Sequence, residues 1–322
     1  MPMYLANNTA PIHFNYEPII GRKVVLKGST LLNAISDSYE FIIEEIKREL
    51  FIIRYSIFKF DNPTAVTSRS AIEGMHSRFM LKNAITHSIE KLGKLVIKEG
   101  QVAALWGEGS DCKVRYEASK EYITLDVFFS PGLTEQVAAF FPEVRKLVSN
   151  ENLKLIGKQP CFITPSMKDV IRQIMECPFD EKTRDFYFDI KVRELLYVLL
   201  EQMYRDDKRS HRFTPYETSK LVEAREFLLK DFRKTPPTIR ELSRIVALNE
   251  FKLKVGFKQL FGVGVFECFQ EARMEKAREL LLKTNKPIKD ICSVTGYRSM
   301  TNFITAFRKK FGYTPGSLRR PH

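Results

Sequence analysis

The alternation of apolar and polar residues predicts β structure in the first part of the chain. Across 50–129, short runs rich in β-branched and aromatic residues recur between turn sequences, and six or more such strands predict a sandwich or a barrel. The preceding stretch, 31–50, fits a strand or a helix equally well. A turn at Gly100 separates two apolar runs, 95–97 and 102–105, and therefore predicts a hairpin.

From residue 133 onward, the apolar positions repeat at helical spacing. Helices are predicted over 133–149, 166–177 and 184–204, and the last carries so many apolar residues that its surface must be buried. The polar sequence that follows is interpreted as an exposed linker over 208–217. Strands followed by helices predict an α+β chain, and a length of 322 residues suits two domains.

The most distinctive pattern occupies 287–320. A first short helix ends at Gly296, which readily adopts the left-handed conformation that closes a helix, and Ser299 is placed to cap the next helix. In that second helix a phenylalanine recurs at every fourth position and marks the buried face: Phe303, Phe307 and Phe311. A tight turn before a helix with a basic outer face predicts a helix-turn-helix unit, although an ordinary helical hairpin fits this stretch alone equally well.

The same pattern occurs once more, earlier in the chain. Its buried face is formed by Leu253, Phe257 and Phe261, each 50 positions before its counterpart. The first helices of the two copies align at 49 instead, so the second turn has one extra residue. Between the copies, 265–284 contains strong helix formers and neither Gly nor Pro. A helix of ~20 residues spans about 30 Å, close to one DNA turn, which suits two helices that read successive major grooves.

This arrangement resembles the DNA-binding domain of the AraC/XylS family of bacterial transcription regulators. The resemblance covers 216–320, a third of the chain, and rests on the second unit, its tail and the connecting helix. The matching residues are Gly296, Tyr297, Phe303, Phe307, Phe311, Gly312, Thr314, Pro315 and Arg319, with Arg273, Ala277, Arg278 and Leu281. The chain departs from the family pattern at Gly256, inside the first reading helix, and at Gly316 and Leu318 in the tail.

The resemblance implies an all-α C-terminal domain in which a long helix joins the two helix-turn-helix units. It also implies that a cupin-like effector barrel and helical dimerisation elements precede that domain. The expected domains are a β-rich effector-sensing domain over 1–132, a helical dimerisation region over 133–207, the linker over 208–217, and the DNA-binding domain over 218–322.

Charge is concentrated on the region that carries the repeat. The chain has 52 Lys and Arg against 39 Asp and Glu, a net charge of +13. From residue 214 to the end there are 22 basic and 11 acidic residues, so this third of the chain accounts for +11 of the total. An excess of this kind is the electrostatic signature of a protein that binds a polyanion, although a solvated basic surface without a partner is the alternative.

Helical geometry identifies the face of each second helix that points away from its core. In the first unit this face carries Phe251, Lys254, Val255 and Lys258; in the second, Ser299, Thr301, Ile304, Thr305, Arg308 and Lys309 are the candidate DNA contacts. Lysine can donate to guanine, apolar side chains and threonine methyls can contact thymine methyls, and the basic residues toward the helix ends suit phosphates. Solvated side chains are the alternative for each residue.

Candidate chemistry in the first part of the chain is sparse. Trp106, Tyr116, Tyr122 and Phe128 fit the wall of an apolar ligand pocket, although the same residues fit a hydrophobic core better. The β-rich region has two histidines, His76 and His87, without an H-x-H pair, so neither a metal site nor a cofactor is expected. Catalytic motifs such as G-x-S-x-G and the P-loop are absent from the sequence, which argues against an enzyme.

The five cysteines form no C-x-x-C pair, which suits a reducing cytoplasm, and the sequence contains neither a signal-peptide pattern nor an apolar run of about 20 residues. We therefore expect a cytoplasmic, sequence-specific transcription activator without a membrane partner. The expected partners are double-stranded operator DNA, a small-molecule effector, RNA polymerase and a second copy of the chain. The alternatives are a DNA-binding regulator whose N-terminal part only oligomerises and a cupin-type enzyme. The sequence identifies neither the operator nor the effector.

Overall fold

The computed structural model describes residues 3–5, 11–17, 19, 22, 24–69, 73–90, 92–107, 111–148, 153–157, 159–204 and 213–319. The chain divides into two compact units, Met1–Arg205 and Asp206–His322. The division falls within the segment 205–212, which lies outside the described residues and includes half of the predicted linker.

The first unit begins with a run of β-strands. They are β1 (Met3–Leu5), β2 (Thr30–Ser36), β3 (Tyr39–Lys47), β4 (Phe51–Phe60), β5 (Thr64–Arg69), β6 (Met75–Lys82), β7 (Ile85–Ile89), β8 (Gly93–Ile97), β9 (Gln101–Trp106), β10 (Asp111–Tyr116) and β11 (Glu121–Phe129). The ambiguous stretch 31–50 is therefore β structure, formed by most of β2 together with β3.

Helices and two short strands complete the first unit. They are α1 (Pro131–Ala138), α2 (Pro142–Val148), β12 (Lys154–Leu155), β13 (Cys161–Phe162), α3 (Pro165–Met175) and α4 (Glu181–Tyr204). The single helix predicted over 133–149 is wrong, because the chain forms two helices there and the second begins at Pro142. A proline lacks the N–H that a continuous helix needs at that position but is favourable in a first turn.

The strands form two antiparallel sheets. One has the order β1-β5-β10-β7-β8; the other has the order β12-β9-β6-β11-β4-β3-β2, with β13 also paired to β9. The predicted hairpin around Gly100 is wrong, because β8 pairs with β7 in the first sheet whereas β9 pairs with β6 in the second. The backbone N–H of Gly100 donates to Met80 O of β6 at 2.8 Å, so the chain joins the second sheet at this turn.

The two faces of the second sheet pack against different partners, and strand alternation assigns each side chain to one of them. One face carries Phe41, Phe58 and Tyr122, which share a core with Val66 and Val114 of the first sheet. The opposite face shares a core with the helices of this unit, and its aromatic residues are Phe51, Tyr55, Phe79, Trp106 and Phe129. The first unit is therefore layered as sheet, sheet and helices.

Helix α4 is buried on one side and exposed on the other. Leu195, Leu196 and Leu199 lie in the core. Phe186 is 72% exposed and Ile190 is 44% exposed, so the expectation that the whole apolar surface of this helix is buried is wrong. The predicted role of this region in dimerisation stays a prediction.

The second unit consists of helices. They are α5 (Pro215–Leu229), α6 (Ile239–Ile245), α7 (Glu250–Phe261), α8 (Val265–Lys283), α9 (Ile288–Val294), α10 (Met300–Phe311) and α11 (Pro315–Arg319). Helix α5 begins inside the predicted linker, where Thr214 and Glu217 cap each other's backbone in a capping box. The predicted helix-turn-helix pairs are α6 with α7 and α9 with α10, and α8 connects them.

The turns of the two helix-turn-helix units differ as predicted. The first unit passes from the α6 C-cap, Val246, to the α7 N-cap, Asn249, whereas the second passes from Thr295 to Ser299 and so has one more residue. Both turns use a left-handed residue directly after the C-cap. In the second unit this is Gly296, with φ +79°, and in the first it is Ala247, with φ +55°.

Gly256 has a packing reason that the sequence analysis did not supply. This residue is buried in the middle of α7. A Cβ atom at this position would lie 2.4 Å from a methyl carbon of Leu221 in α5 and 2.9 Å from the ring of Phe213. The glycine, unfavourable in a helix interior by about 1 kcal/mol relative to alanine, therefore permits the close approach of α5 to α7.

Candidate nucleic-acid interface and the cavity of the first unit

Helix α7 presents its predicted contact residues on its accessible side. Its buried face consists of Leu253, Phe257 and Phe261. Phe251, Lys254 and Lys258 are exposed and Val255 is half-buried. The N-terminus is capped as predicted, because Asn249 Oδ1 accepts a hydrogen bond from Lys252 N at 2.7 Å. Lys252 pairs with Glu217 of α5, so this lysine is held toward the rest of the unit.

Helix α10 has the same construction with different exposed chemistry. Its buried face consists of the three predicted phenylalanines. The exposed residues are Thr301, Ile304, Thr305, Arg308 and Lys309. Ser299 caps the helix as predicted, since its Oγ accepts from Asn302 N at 3.4 Å. Gly312 ends the helix with φ +83°, which matches the sequence prediction for this position.

Two exposed polar residues beside the start of α10 were missed by the sequence analysis. Arg298 precedes the capping serine, and Asn302 lies in the first turn of the helix. Helical geometry could have found Asn302, because at 100° per residue it lies as far from the buried Phe303 as Ile304, which the prediction included. An asparagine here can donate to and accept from adenine, and an arginine beside a helix N-terminus suits a phosphate.

Side chains of the connecting helix α8 contact the segment before α6, the turn before α10 and residues in and after α10. Arg273 donates to Phe232 O, in the segment between α5 and α6, at 2.9 Å and to Gly296 O, in the second turn, at 3.1 Å. Further along α8, Arg278 donates to the hydroxyl of Tyr313 at 3.2 Å, after α10. Lys310 of α10 pairs with Glu271 of α8, so this ion pair attaches the second helix-turn-helix unit to the connecting helix.

The first unit contains a cavity of about 90 Å³ between its two sheets. One part of the wall is apolar and includes Phe58, Val66 and Val114. The other part is polar and is built from charged and hydrogen-bonding residues on neighbouring strands: Arg54, Ser56, Ser68, His76, Arg78, His87, Cys112 and Asp126. These residues were not predicted together, because alternation alone does not show which strands of different sheets face each other.

The predicted pocket residues are divided by the alternation of their strands. Tyr116 and Phe128 line the cavity. Tyr122 is buried in the core between the sheets, next to Tyr116, with a ring-centroid distance of 4.9 Å. Trp106 packs on the opposite face of the second sheet, in the core shared with the helices, so its placement does not make it part of the cavity wall.

Asp126 is the centre of the polar wall. It lies on β11 between Arg78 of β6 and Arg54 of β4 in the strand register. Its carboxylate accepts from Arg78 Nε at 2.5 Å, from Arg78 Nη2 at 3.2 Å and from the Thr124 hydroxyl at 3.1 Å. Burial alone would raise the pKa of this carboxyl group, but the attraction of the adjacent Arg78 guanidinium lowers it well below its usual range.

His87 and Cys112 extend this network to the first sheet. Arg78 Nη1 donates to His87 Nε2 at 3.3 Å, so the other ring nitrogen, Nδ1, carries the proton and faces Cys112 Sγ at 3.0 Å. Burial, reinforced by the positive Arg78, lowers the pKa of His87 well below its ordinary value. Burial raises the pKa of the Cys112 thiol. Both groups are therefore uncharged near neutral pH.

One polar group on the cavity wall is unsatisfied. Ser56 is 1% exposed, and its hydroxyl has no hydrogen-bond partner among the described residues. A buried hydroxyl without a partner costs roughly 1–3 kcal/mol, so Ser56 Oγ is free to pair with a molecule that enters the cavity. The neighbouring Arg54 is already engaged, because its Nε donates to Glu45 at 2.9 Å.

The described part of the chain contains no group of three or more His, Cys, Asp or Glu residues arranged to hold a metal ion. Within the same residues, every helix is too short or too polar to cross a membrane.

Sequence profiles of known families match both compact units of the chain. The sequence profile of the regulatory protein PchR N-terminal domain matches residues 51–215, just over half of the chain. The profile of a helix-turn-helix domain matches residues 242–321, which include α7 and the whole of the second unit of the repeat.

Individual relatives are transcription regulators. The regulatory protein PchR of Pseudomonas aeruginosa is 32% identical over 124 residues, which are 38% of this chain and 41% of that protein. The bifunctional transcriptional activator/DNA repair enzyme AdaA of Bacillus subtilis is 33% identical over 95 residues, 30% of this chain and 44% of AdaA. Each match therefore spans less than half of the relative's length. The probable transcriptional regulator LumQ of Photobacterium leiognathi is 26% identical over 207 residues, 59% of this chain and 79% of LumQ.

Among solved structures, the C-terminal domain of AraT from Geobacillus stearothermophilus is 32% identical with a TM-score of 0.30, and the match covers 34% of this chain and 88% of that domain. A fatty-acid-bound ToxT from Vibrio cholerae is 13% identical with a TM-score of 0.33, over 85% of this chain and 96% of ToxT. The family profiles carry the assignment: the chain belongs to the AraC/XylS family of DNA-binding transcription regulators and has a regulatory N-terminal domain of the PchR type.

Proposed function

We propose that this regulator recognises a specific operator with both of its helix-turn-helix units and activates transcription from it. The observation that carries the proposal is the exposure of the second helices: α7 and α10 each bury an aromatic or aliphatic stripe and expose most of the residues predicted to contact DNA, with Val255 and Ser299 half-buried. Helix α8 has 19 residues, a length of roughly 28 Å at 1.5 Å per residue. That length is comparable to the ~34 Å between successive major-groove faces.

The two helices read different chemistry under this proposal. Lys254 donates to guanine, while Phe251 and Val255 contact thymine methyl groups. In the second unit, Thr301 and Thr305 supply hydrogen bonds or methyl contacts, Ile304 contacts a thymine methyl, and Asn302 contacts adenine. The basic residues at the flanks bind phosphates and set the position of each helix on the duplex: Lys258, Arg298, Arg308 and Lys309.

Selection of genomic DNA fragments by the purified full-length protein at ~150 mM salt, where non-specific binding is weak, tests this function. We expect a shared motif with two half-sites about one turn apart. Lys254→Ala should weaken only the first half-site and Thr305→Ala only the second. The matched control is Lys283→Ala, which removes an equal charge from an exposed position on α8. Recovery of random, salt-sensitive fragments would contradict the proposal.

The cavity between the two sheets is the proposed effector site. The charged groups on its wall are paired: Arg78 with Asp126, and Arg54 with Glu45, which lies outside the wall. Burial keeps both wall histidines neutral by lowering their pKa values. A charged ligand would have no unpaired counter-ion there. The effector is therefore a small uncharged molecule with an apolar body against Phe58 and Val114 and a hydrogen-bonding group at Ser56.

Calorimetric titration with a set of small phenols and alcohols, each matched by the corresponding carboxylate, tests this ligand class. An uncharged member should bind the full-length protein, change its affinity for the selected operator, and lose about fivefold in affinity in Ser56→Ala, since one hydrogen bond is worth ~1 kcal/mol. Tighter binding of the carboxylates would contradict the class. If no member binds and operator affinity never changes, the N-terminal unit acts as an oligomerisation domain.

We also propose that the regulator is a cytoplasmic homodimer that contacts RNA polymerase. The exposed residues Phe186, Ile190 and Tyr197 of α4 recur at helical spacing and form an apolar stripe that a second copy would cover. Sedimentation should show a dimer at micromolar concentration that Ile190→Glu dissociates. Val96→Glu, at a similarly exposed apolar residue on β8, is the matched control and should leave the dimer intact.

A further inference from the structure

Arg273 of α8 is a buried cation at the junction between the two helix-turn-helix units. Its side chain is enclosed by aromatic rings, with the guanidinium carbon 4.5 Å from the ring centroid of Phe269 and 5.3 Å from that of Tyr297. The residue is 9% exposed. A guanidinium group between two ring faces gains from the ring quadrupoles but loses hydration.

The hydrogen bonds of Arg273 join the segment that leads into the first helix-turn-helix unit to the turn of the second helix-turn-helix unit. One terminal nitrogen, Nη2, donates both to Phe232 O and to Gly296 O. Phe232 lies in the segment that leads into α6, and Gly296 is the left-handed residue in the turn before α10. The two carbonyl groups therefore meet at one donor, and the position of one unit is defined relative to the other.

The charge of Arg273 is met by carbonyl oxygens and ring faces rather than by a carboxylate among the described residues. Burial lowers the pKa of the guanidinium, which remains a cation at neutral pH. A leucine or methionine would fill the same space without this desolvation, so the arginine is costly if its role is only to fill the core.

The backbone approach at this junction is close. A Cβ atom built on Gly296 would lie 1.9 Å from Phe232 O and 2.3 Å from Arg273 Nη2. The turn of the second helix-turn-helix unit thus contacts the backbone of the segment that leads into α6, and a side chain at this position would separate them. Arg273 donates to a backbone carbonyl on each side of the resulting contact.

We propose that Arg273 is a positioning residue that fixes the orientation of the second helix-turn-helix unit relative to the first, and that it thereby sets the half-site spacing that the regulator accepts. This inference rests on the proposed function, in which both units bind DNA. Two linked binding modules gain affinity from their connection only when the connection matches the distance between their sites. A junction held rigid should therefore favour one spacing strongly, whereas a loosened junction should accept several.

Operator variants in which the selected half-sites are moved apart or together one base pair at a time test this inference. The full-length protein should prefer its best spacing by about tenfold or more over a spacing changed by one base pair, as expected for a rigid connection. In Arg273→Met, which keeps the buried stem but has no donor, the preference should fall to about threefold or less. Affinity for a DNA with only one half-site should be unchanged.

Arg278→Met is the matched control. Arg278 lies on the same helix, but it contacts the ring of Phe311 in α10 and the hydroxyl group of Tyr313 just after α10. This variant should keep the spacing preference. If Arg273→Met does not fold, as judged by circular dichroism, Arg273→Lys retains the charge and should still relax the preference. An unchanged preference in a folded Arg273 variant overturns the inference, whereas a wild-type protein without a spaced operator overturns the proposed function itself.

Discussion

The two helix-turn-helix units both have apolar residues at their buried positions, but the chemistry of their outward positions differs. At the buried positions, Leu253 pairs with Phe303 and Phe257 with Phe307, and all four are fully enclosed. At the outward positions, of which only Val255 is half-buried, the pairs are Phe251 with Thr301, Lys254 with Ile304, Val255 with Thr305 and Lys258 with Arg308. The internal repeat therefore preserves a scaffold while the contact surfaces diverge, and only the basic position at the end of each face keeps its chemistry.

The two turns also differ in the contacts of their left-handed residues. Gly296 is pressed against Phe232 O, whereas the equivalent first-unit residue, Ala247, is also left-handed and carries a Cβ. The second turn therefore has a tertiary reason for glycine in addition to its backbone conformation. The first turn tolerates alanine at the conformational cost alone, about 1–2 kcal/mol relative to a right-handed residue.

The largest effect should come from Gly296→Ala. The new Cβ is strained by the left-handed backbone and collides with a backbone oxygen, so the second unit should lose about 3 kcal/mol or more of stability. Chemical denaturation followed by the helical circular dichroism signal measures this change. Gly312→Ala is the matched control, because its φ of +83° is similar but the space around its Cβ is empty, and it should cost clearly less. Equal losses would show that the contact with Phe232 does not matter.

Exchanging one exposed pair should change what a single unit reads. Lys254→Ile gives the first unit the residue that the second has at this position, so it should lose about 1–3 kcal/mol of discrimination for guanine at one base pair of the first half-site. Competition binding with single-base operator variants measures this loss. Lys258→Ala, at the position where both units are basic, should instead weaken all sequences alike and reduce the salt dependence by about one unit of slope. Uniform weakening by Lys254→Ile would place Lys254 on a phosphate.

The β-rich unit, Met1–Arg205, should be more sensitive to mild acid than the helical unit, Asp206–His322. His87 is buried and His76 is half-buried, and desolvation lowers the pKa of both, so below pH 6.5 the unfolded chain binds protons that the folded unit does not. Stability should therefore fall as pH decreases below 6.5, by up to about 1.4 kcal/mol per pH unit for each histidine.

Trp106 is the only tryptophan of the chain and lies in the β-rich unit, so its fluorescence during urea unfolding follows that unit alone. Residues 213–319 contain no histidine, and the helical signal of the second unit should change little between pH 7 and 5.5. In His87→Gln the fluorescence transition should depend less steeply on pH. A transition that does not move with pH in the wild-type protein would show that these histidines titrate normally.

The smallest expected effect is a stabilisation. Ala247→Gly removes the left-handed strain of the first turn but increases the freedom of the unfolded chain, so the gain should be about 0.5–1 kcal/mol. Thermal unfolding of the full-length protein, followed by the helical signal, measures it. Ala306→Gly, inside α10, is the matched control and should destabilise by a similar amount. A loss of stability in Ala247→Gly would contradict the account of the first turn.

The helix-turn-helix units could be predicted closely because their information is local. The spacing of Phe303, Phe307 and Phe311, the glycines that end helices and the capping serine are all read within a few residues of one another, and the structure confirms these features. The function of Gly256 could not be predicted, because it depends on Leu221 and Phe213 in a different segment.

The β-rich unit could be predicted as a class but not as a site. Alternation gives strands and their two faces, yet the pairing of β8 and β9 with different strands was missed because a turn sequence does not record which sheet each strand joins. The polar wall of the cavity was missed for the same reason. Arg78, His87 and Asp126 come from three strands, and only the pairing of β6 with β11 and the packing of two sheets bring them together.

The central claim, that both units read one operator, is tested most directly by hydroxyl-radical footprinting of the full-length protein on a selected operator at ~150 mM salt. The account predicts two protected patches on the same side of the duplex, separated by 10–10.5 base pairs, about one turn of DNA. The patch contacted by α7 should be lost in Lys254→Ala and the patch contacted by α10 should remain. A single protected patch, unaffected by changes in one of the two helices, would contradict the claim.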